Sequence, residues 1–90
     1  METRRFGVYC LGMARFFLHL HSDTALLDEE GIERPDLAAA RAAAVRNIRD
    51  LLADDVMRGR IALRQRIDIT DADGRVLATV PFREAVLVEG

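Results

Sequence analysis

The chain has 90 residues, of which 50% are hydrophobic and 31% are charged, and its formal net charge is −2. This length fits one domain with a small core, and the weakly acidic balance excludes an overall attraction to nucleic acid or to an anionic membrane. The single cysteine, Cys10, cannot form an internal disulfide, which is typical of a reducing, cytoplasmic setting.

The first residues place Arg4 and Arg5 before an apolar run, as secretory signals do. Arg15 interrupts that run, which is also much shorter than the roughly 20 residues that a membrane span needs. We therefore predict no membrane segment. Residues 1–12 are interpreted as a non-native or disordered extension, and residues 13–90 as a single α+β domain.

Alternating side chains predict a strand from Arg15 to His21, and Thr24–Asp28 predicts a short second strand that pairs antiparallel with it. The core row of the first strand would be Phe16, Leu18 and Leu20. Its opposite row would include Phe17, His19 and His21. The D-E-E-G sequence at 28–31 predicts a turn, because glycine adopts positive φ easily.

The stretch from Pro35 to Gly59 predicts one long helix, with Asp36 as its N-cap and Gly59 just past its C-terminus. Its first turns are rich in alanine, the residue of highest helix propensity. The spacing of apolar residues predicts a buried stripe on this helix. That stripe comprises Leu37, Ala40, Ala44, Ile48, Leu51 or Leu52, and Val56.

Two more strands are predicted after the helix, joined by a tight hairpin at D-A-D-G, residues 71–74. The first has an even-spaced apolar row: Ile61, Leu63, Ile67 and Ile69. The second is Arg75–Val80, with Pro81 at its end or on a sheet edge. Phe82 and Ala85–Val88 would cap the core or add a short edge strand. The predicted order is β-β-α-β-β, a small antiparallel sheet with one long helix packed on one face.

No arrangement of residues in the sequence predicts catalysis. The carboxylates at 28–30 share one turn and lack the separate environments that an acid–base pair requires. The six glycines are scattered and match no phosphate-binding loop. We therefore predict that the chain is not an enzyme, and that it has no catalytic residue and no cofactor.

Three surface features nevertheless suggest function. An aromatic residue with two histidines on the uncovered sheet face predicts an interface, with a homodimer favoured over base stacking: Phe17, His19 and His21. As an alternative, His19 and His21 could chelate a metal ion. Four arginines in nine residues could contact phosphates, or they could form a solvated face: Arg58, Arg60, Arg64 and Arg66.

Five segments carry a family resemblance: R-F-F-L-H at 15–19, D-E-E-G at 28–31, P-D-L-A-A-A-R-A-A-A-V-R at 35–46, D-A-D-G-R-V-L at 71–77 and V-P-F-R-E-A-V at 80–86. In this order they resemble a family of short proteobacterial proteins described only as a domain of unknown function. The resemblance covers residues 13–88 and implies a bacterial cytoplasmic origin with Met13 as the natural start. It implies no activity and no catalytic residue.

The order of elements also has a weaker likeness to the antitoxin half of Hic-type toxin–antitoxin pairs, which rests on architecture alone. The sequence thus predicts a small non-enzymatic domain that acts through protein contacts, as a homodimer or with an unknown protein partner. The alternatives are a nucleic-acid-associated, antitoxin-like regulator and a metal-binding protein that uses His19 and His21.

Overall fold

The fold is that of a computed structural model, which describes residues 13–89. The predicted residues 1–12 extension lies outside this range. Five strands and one long helix follow in the order β1 (Ala14–His21), β2 (Ala25–Leu26), β3 (Ile32–Arg34), α1 (Leu37–Met57), β4 (Arg66–Thr70) and β5 (Val76–Pro81). The predicted α+β class is confirmed: an antiparallel sheet carries one helix. One short strand more than predicted, β3, precedes the helix.

The sheet is built around β1, which pairs antiparallel with β4 on one side, while β5 pairs in turn with β4. The strands β2 and β3 are both short and pair with opposite ends of β1. Leu26 in β2 lies opposite Leu20, and Ile32 in β3 lies opposite Phe16. The segment between β2 and β3 therefore passes the middle of β1 without strand pairing of its own.

The helix α1 begins as the sequence predicts, because the Asp36 carboxylate accepts the Ala39 N–H at 2.8 Å. Its buried stripe consists of Ala40, Ala44, Ile48 and Leu52. The predicted stripe was wrong at its C-terminal end, since Val56 is 53% exposed. The sheet does not extend far enough to cover that last turn.

The core lies between α1 and the inner face of the sheet, and its remaining members are Phe16, Ile67, Ile69, Val80, Phe82 and Ala85. Phe82 begins a single 3-10 turn after β5 and is fully buried. The C-terminal segment thus caps the core with Phe82 and Ala85 and adds no edge strand there. Arg49 of α1 donates from Nε to the Ala85 carbonyl at 2.8 Å, which fixes this cap to the helix.

The segment between α1 and β4 differs from prediction. Ile61 does not continue the apolar row of β4, because the strand begins only at Arg66 and Ile61 is 64% exposed. The hairpin at 71–74 is confirmed, with the Gly74 N–H donating to the Asp71 carbonyl. Within the described part of the chain, no helix is both long enough and apolar enough to cross a membrane.

Candidate functional site

An open groove of about 590 Å³ lies on the helix side of the sheet, next to β2. Seven apolar side chains line it: Leu18, Leu20, Leu26, Leu27, Ile32, Leu51 and Ile67. Its polar lining consists of Asp28, Asn47 and Asp50. We call this feature the β2 groove. The groove is apolar inside, and no basic residue is among those that line it.

The β2 groove exists because α1 does not reach the edge of the sheet. The column of small residues on α1 brings the helix close to β1, β4 and β5, while β2 lies beyond its cover. Leu26 and Leu27 are therefore 68% and 62% exposed, and Leu51 of the helix is 39% exposed. Three neighbouring leucines that remain in water are characteristic of a contact surface rather than of a finished core.

One wall of the β2 groove is fixed by Asp28, which lies between β2 and β3. Its carboxylate accepts the N–H groups of Leu18, Glu30 and Gly31, at 3.1, 3.1 and 3.0 Å. Burial alone would raise the pKa of Asp28. These three donors instead hold the pKa below its ordinary value of 3.8. The ionised carboxylate thus replaces the missing strand pairing opposite the middle of β1.

The tautomer of His19 follows from its two hydrogen bonds. The Asp28 N–H donates to Nδ1 at 3.0 Å, so Nδ1 carries no proton and the ring N–H is on Nε2. Nε2 then donates to the Thr70 hydroxyl at 3.0 Å. Both nitrogens are occupied, so a metal ion would have to break one of these bonds. No group of three or more metal-ligating side chains occurs among residues 13–89. Metal binding through His19 and His21 stays an untested alternative.

The other residues on the outer face of the sheet, which α1 does not cover, also contact one another through their polar groups. His21 Nε2 lies 3.3 Å from Asp68, whose carboxylate also accepts the Thr79 hydroxyl at 3.0 Å. Phe17 is half-buried, and its ring is parallel to that of His19 with centroids 6.4 Å apart. The structure therefore brings Phe17, His19 and His21 together on one face, as the alternation predicts. The interface predicted there remains a prediction.

The four predicted phosphate-contacting arginines are divided between different partners. Arg58 pairs with Asp54 at 2.8 Å, and Arg66 pairs with Asp68 at 3.2 Å. Arg60 and Arg64 line a polar pocket of about 340 Å³, which also contains Asp23 and Asp55. The cluster is thus balanced by nearby carboxylates, and phosphate contact by these arginines stays a prediction.

The family model of a domain of unknown function (DUF6894) matches residues 15–83 of this chain. The chain belongs to this family. The match runs from β1 into the 3-10 turn. The DUF6894 domain therefore includes the β2 groove, the outer-face histidines and the β2–β3 loop that contains Asp28, which we call the Asp28 loop. Neither a curated protein nor a solved structure matches the chain.

The β2 groove was not predicted from the sequence. Leu26 and Leu27 are adjacent in a short segment, and neighbouring residues of a strand face opposite sides. Two consecutive leucines next to a turn are therefore hard to bury together in a sheet with one solvent-exposed face. This pair was the signal in the sequence for exposed apolar surface near β2. The exposure of Leu51 could not be foreseen, because the spacing allows either Leu51 or Leu52 in the buried stripe.

Proposed function

We propose that this DUF6894 domain is a non-enzymatic protein that acts through protein contacts and self-associates as a homodimer. The observation that carries the proposal is the β2 groove, in which Leu26, Leu27 and Leu51 are left partly or largely exposed. Burial of such surface against another protein is favourable by roughly 25 cal/mol per Å² of apolar area. An apolar cleft with few polar groups is also the usual form of a binding site for a protein segment.

The arrangement of the polar side chains supports a role without catalysis. Ser22, the one serine in the chain, bonds through its hydroxyl to the Thr24 carbonyl within a local turn. The two histidines are bonded to Asp28, Thr70 and Asp68, and those bonds stabilise the sheet. We further propose a cytoplasmic setting, which the lone cysteine supports because disulfide-stabilised domains pair their cysteines.

The test is the oligomeric state of the full chain. Size-exclusion chromatography with light scattering, from low to high micromolar concentration, should give a mass that rises from monomer to dimer. The dissociation constant should not depend strongly on salt if apolar contact dominates. A chain that remains monomeric over the whole range would contradict self-association.

A further inference from the structure

The helix face that borders the β2 groove is a second stripe, distinct from the buried one. Asn47, Leu51, Asp54 and Arg58 follow at intervals of four, three and four residues, so they lie on one side of α1. Asp50 and Met57 flank this stripe on its solvent side. Met57 is 85% exposed, because it lies on the side of the helix opposite buried Ile48 and faces away from the sheet. We call these six residues the groove stripe.

The charges of the groove stripe are arranged in order along the helix. Asp50 and Asp54 come first and Arg58 comes last, one turn after Asp54. Asp54 is already neutralised within the chain, because its carboxylate lies 2.8 Å from Arg58 Nη1. None of the ion pairs among the described residues involves Asp50, whose carboxylate is the negative charge at the N-terminal end of the groove stripe.

This order makes the stripe complementary to itself in one orientation only. Two copies packed parallel would set Asp50 against Asp50 and Arg58 against Arg58. Two copies packed antiparallel about an axis at Asp54 would set Asp50 opposite Arg58 of the second copy, and Leu51 opposite its Met57. A two-fold contact of this kind uses the same patch on both subunits and closes on itself.

We propose that the homodimer forms through the groove stripe, with the two α1 helices antiparallel and each helix end seated in the β2 groove of the other copy. This inference rests on the proposed self-association and names its surface. In this arrangement Met57 and Leu51 pack between the helices, while Leu26 and Leu27 of each copy cover the flank of the other helix. Arg58 bridges Asp54 of its own chain and Asp50 of the second copy.

The geometry favours this surface over the outer sheet face for a stated reason. On the outer face, polar groups such as His21, Asp68 and Thr79 already bond to one another. Covering them would remove water without providing new partners, which is costly for polar groups. The groove stripe instead combines exposed apolar side chains with Asp50 and Arg58, which lie opposite each other across the two-fold contact, while Asp54 stays paired with Arg58 of its own chain.

A charge-exchange experiment tests the inference. Asp50→Arg and Arg58→Asp, each made in the full chain, should raise the dimer dissociation constant about tenfold or more, because each places like charges opposite one another twice per dimer. The double variant Asp50→Arg/Arg58→Asp exchanges the two charges and should restore most of the association. Asp73→Arg, in the β4–β5 hairpin, is the matched control and should leave the dimer unchanged.

A second pair of variants tests the apolar part of the contact without relying on the ion pair. Met57→Asp should weaken the dimer at least as much as Asp50→Arg does. Its neighbour Val56 is also exposed but lies one turn beyond buried Leu52, on the opposite flank of the helix. Val56→Asp should therefore leave association unchanged. Circular dichroism of each variant monitors the fold.

The outcomes separate this inference from the proposal on which it rests. A wild-type chain that stays monomeric at high micromolar concentration would contradict self-association itself. A wild-type dimer that Asp50→Arg and Met57→Asp do not weaken would leave self-association standing and overturn the groove stripe as its surface. Weakening by both single charge reversals without recovery in the double variant would likewise contradict the antiparallel pairing.

Discussion

The two sides of the sheet differ in how completely their residues satisfy one another. On the outer side, His19, His21 and Asp68 each have a hydrogen-bonding partner on a neighbouring strand or loop. On the helix side, the core under α1 is closed, but Leu26 and Leu27 beside it remain mostly in water. The outer side carries the histidines that stand out in the sequence, and it is the side on which these polar groups already have partners.

This difference shows that the residue types that stand out in the sequence do not mark the surface that this small domain leaves apolar and exposed. Histidine and aspartate on a sheet face attract attention, yet here they hold the strands and the edge loop together. The apolar side chains that the fold leaves exposed at the uncovered edge of the sheet are leucines. The comparison predicts that changes on the outer side alter mainly stability, and that changes in the β2 groove alter mainly association.

The largest effect is expected at Gly31, in the loop that closes the outer side. Its φ is +75°, and an added Cβ would lie 2.9 Å from the Phe16 carbonyl oxygen. Gly31→Ala should lower the free energy of unfolding by about 3–4 kcal/mol, from left-handed strain and steric overlap together. Gly59→Ala is the matched control, because its φ is +82° but nothing lies within 4 Å. It should cost only about 1–2 kcal/mol in urea unfolding.

The next effect concerns Asp28 and depends on pH. Its pKa is lowered in the folded state, so its stabilising contribution is present above the unfolded value of 3.8 and is lost as pH falls through the lower folded pKa. Asp28→Asn cannot accept all three N–H groups and should lower the free energy of unfolding by about 1–3 kcal/mol at pH 7. The difference from wild type should shrink below pH 3.8. A constant difference between pH 7 and pH 2.5 would show that the charge is not what matters.

A smaller effect is expected from the outer-face contact between His21 and Asp68, which lie 3.3 Å apart. His21→Ala removes a partly exposed contact and should lower the free energy of unfolding by less than about 1 kcal/mol. The dimer dissociation constant should not change. Thermal unfolding and light scattering on the same samples measure both quantities. A weaker dimer with unchanged stability would instead support the interface predicted at Phe17, His19 and His21.

The smallest stability effect should come from the β2 groove. Leu27→Ser changes a side chain that is 62% exposed, so the free energy of unfolding of the monomer should change by no more than about 0.5 kcal/mol. Association should nevertheless weaken. Unfolding is measured at low micromolar concentration, where the monomer predominates, because dimerisation itself adds to apparent stability. A large loss of stability would mean that Leu27 belongs to the core.

Local physics made most of the fold predictable. The Asp36 cap, the alanine-rich turns of α1 and the D-A-D-G hairpin are each determined by a few neighbouring residues, and each was predicted correctly. The apolar alternation of β1 likewise gave the right inner and outer rows. These features depend on spacing and backbone preference, which the sequence displays directly.

What could not be predicted depends on distances between segments far apart in the chain. The D-E-E-G sequence indicates a turn, but only the pairing of β1 shows that its aspartate lies against Leu18 and His19. The β2 groove depends on where the edge of the helix falls relative to the edge of the sheet. The distance between these two edges cannot be predicted from hydrophobic periodicity or from helix and strand propensity. The exposure of Leu51 is therefore seen only in the structure.

The Asp28 loop also affects which contacts β1 can make while the chain is still folding. Until this loop closes, the middle of β1 presents unpaired N–H and C=O groups along an apolar strand, which is a template for pairing with other chains. The Asp28 carboxylate accepts the Leu18 N–H, and a side-chain carboxylate cannot extend a sheet as a backbone strand does. We therefore expect Asp28 to block strand pairing at the middle of β1, so that a newly synthesised chain aggregates less readily once the residues around Asp28 have closed over this edge.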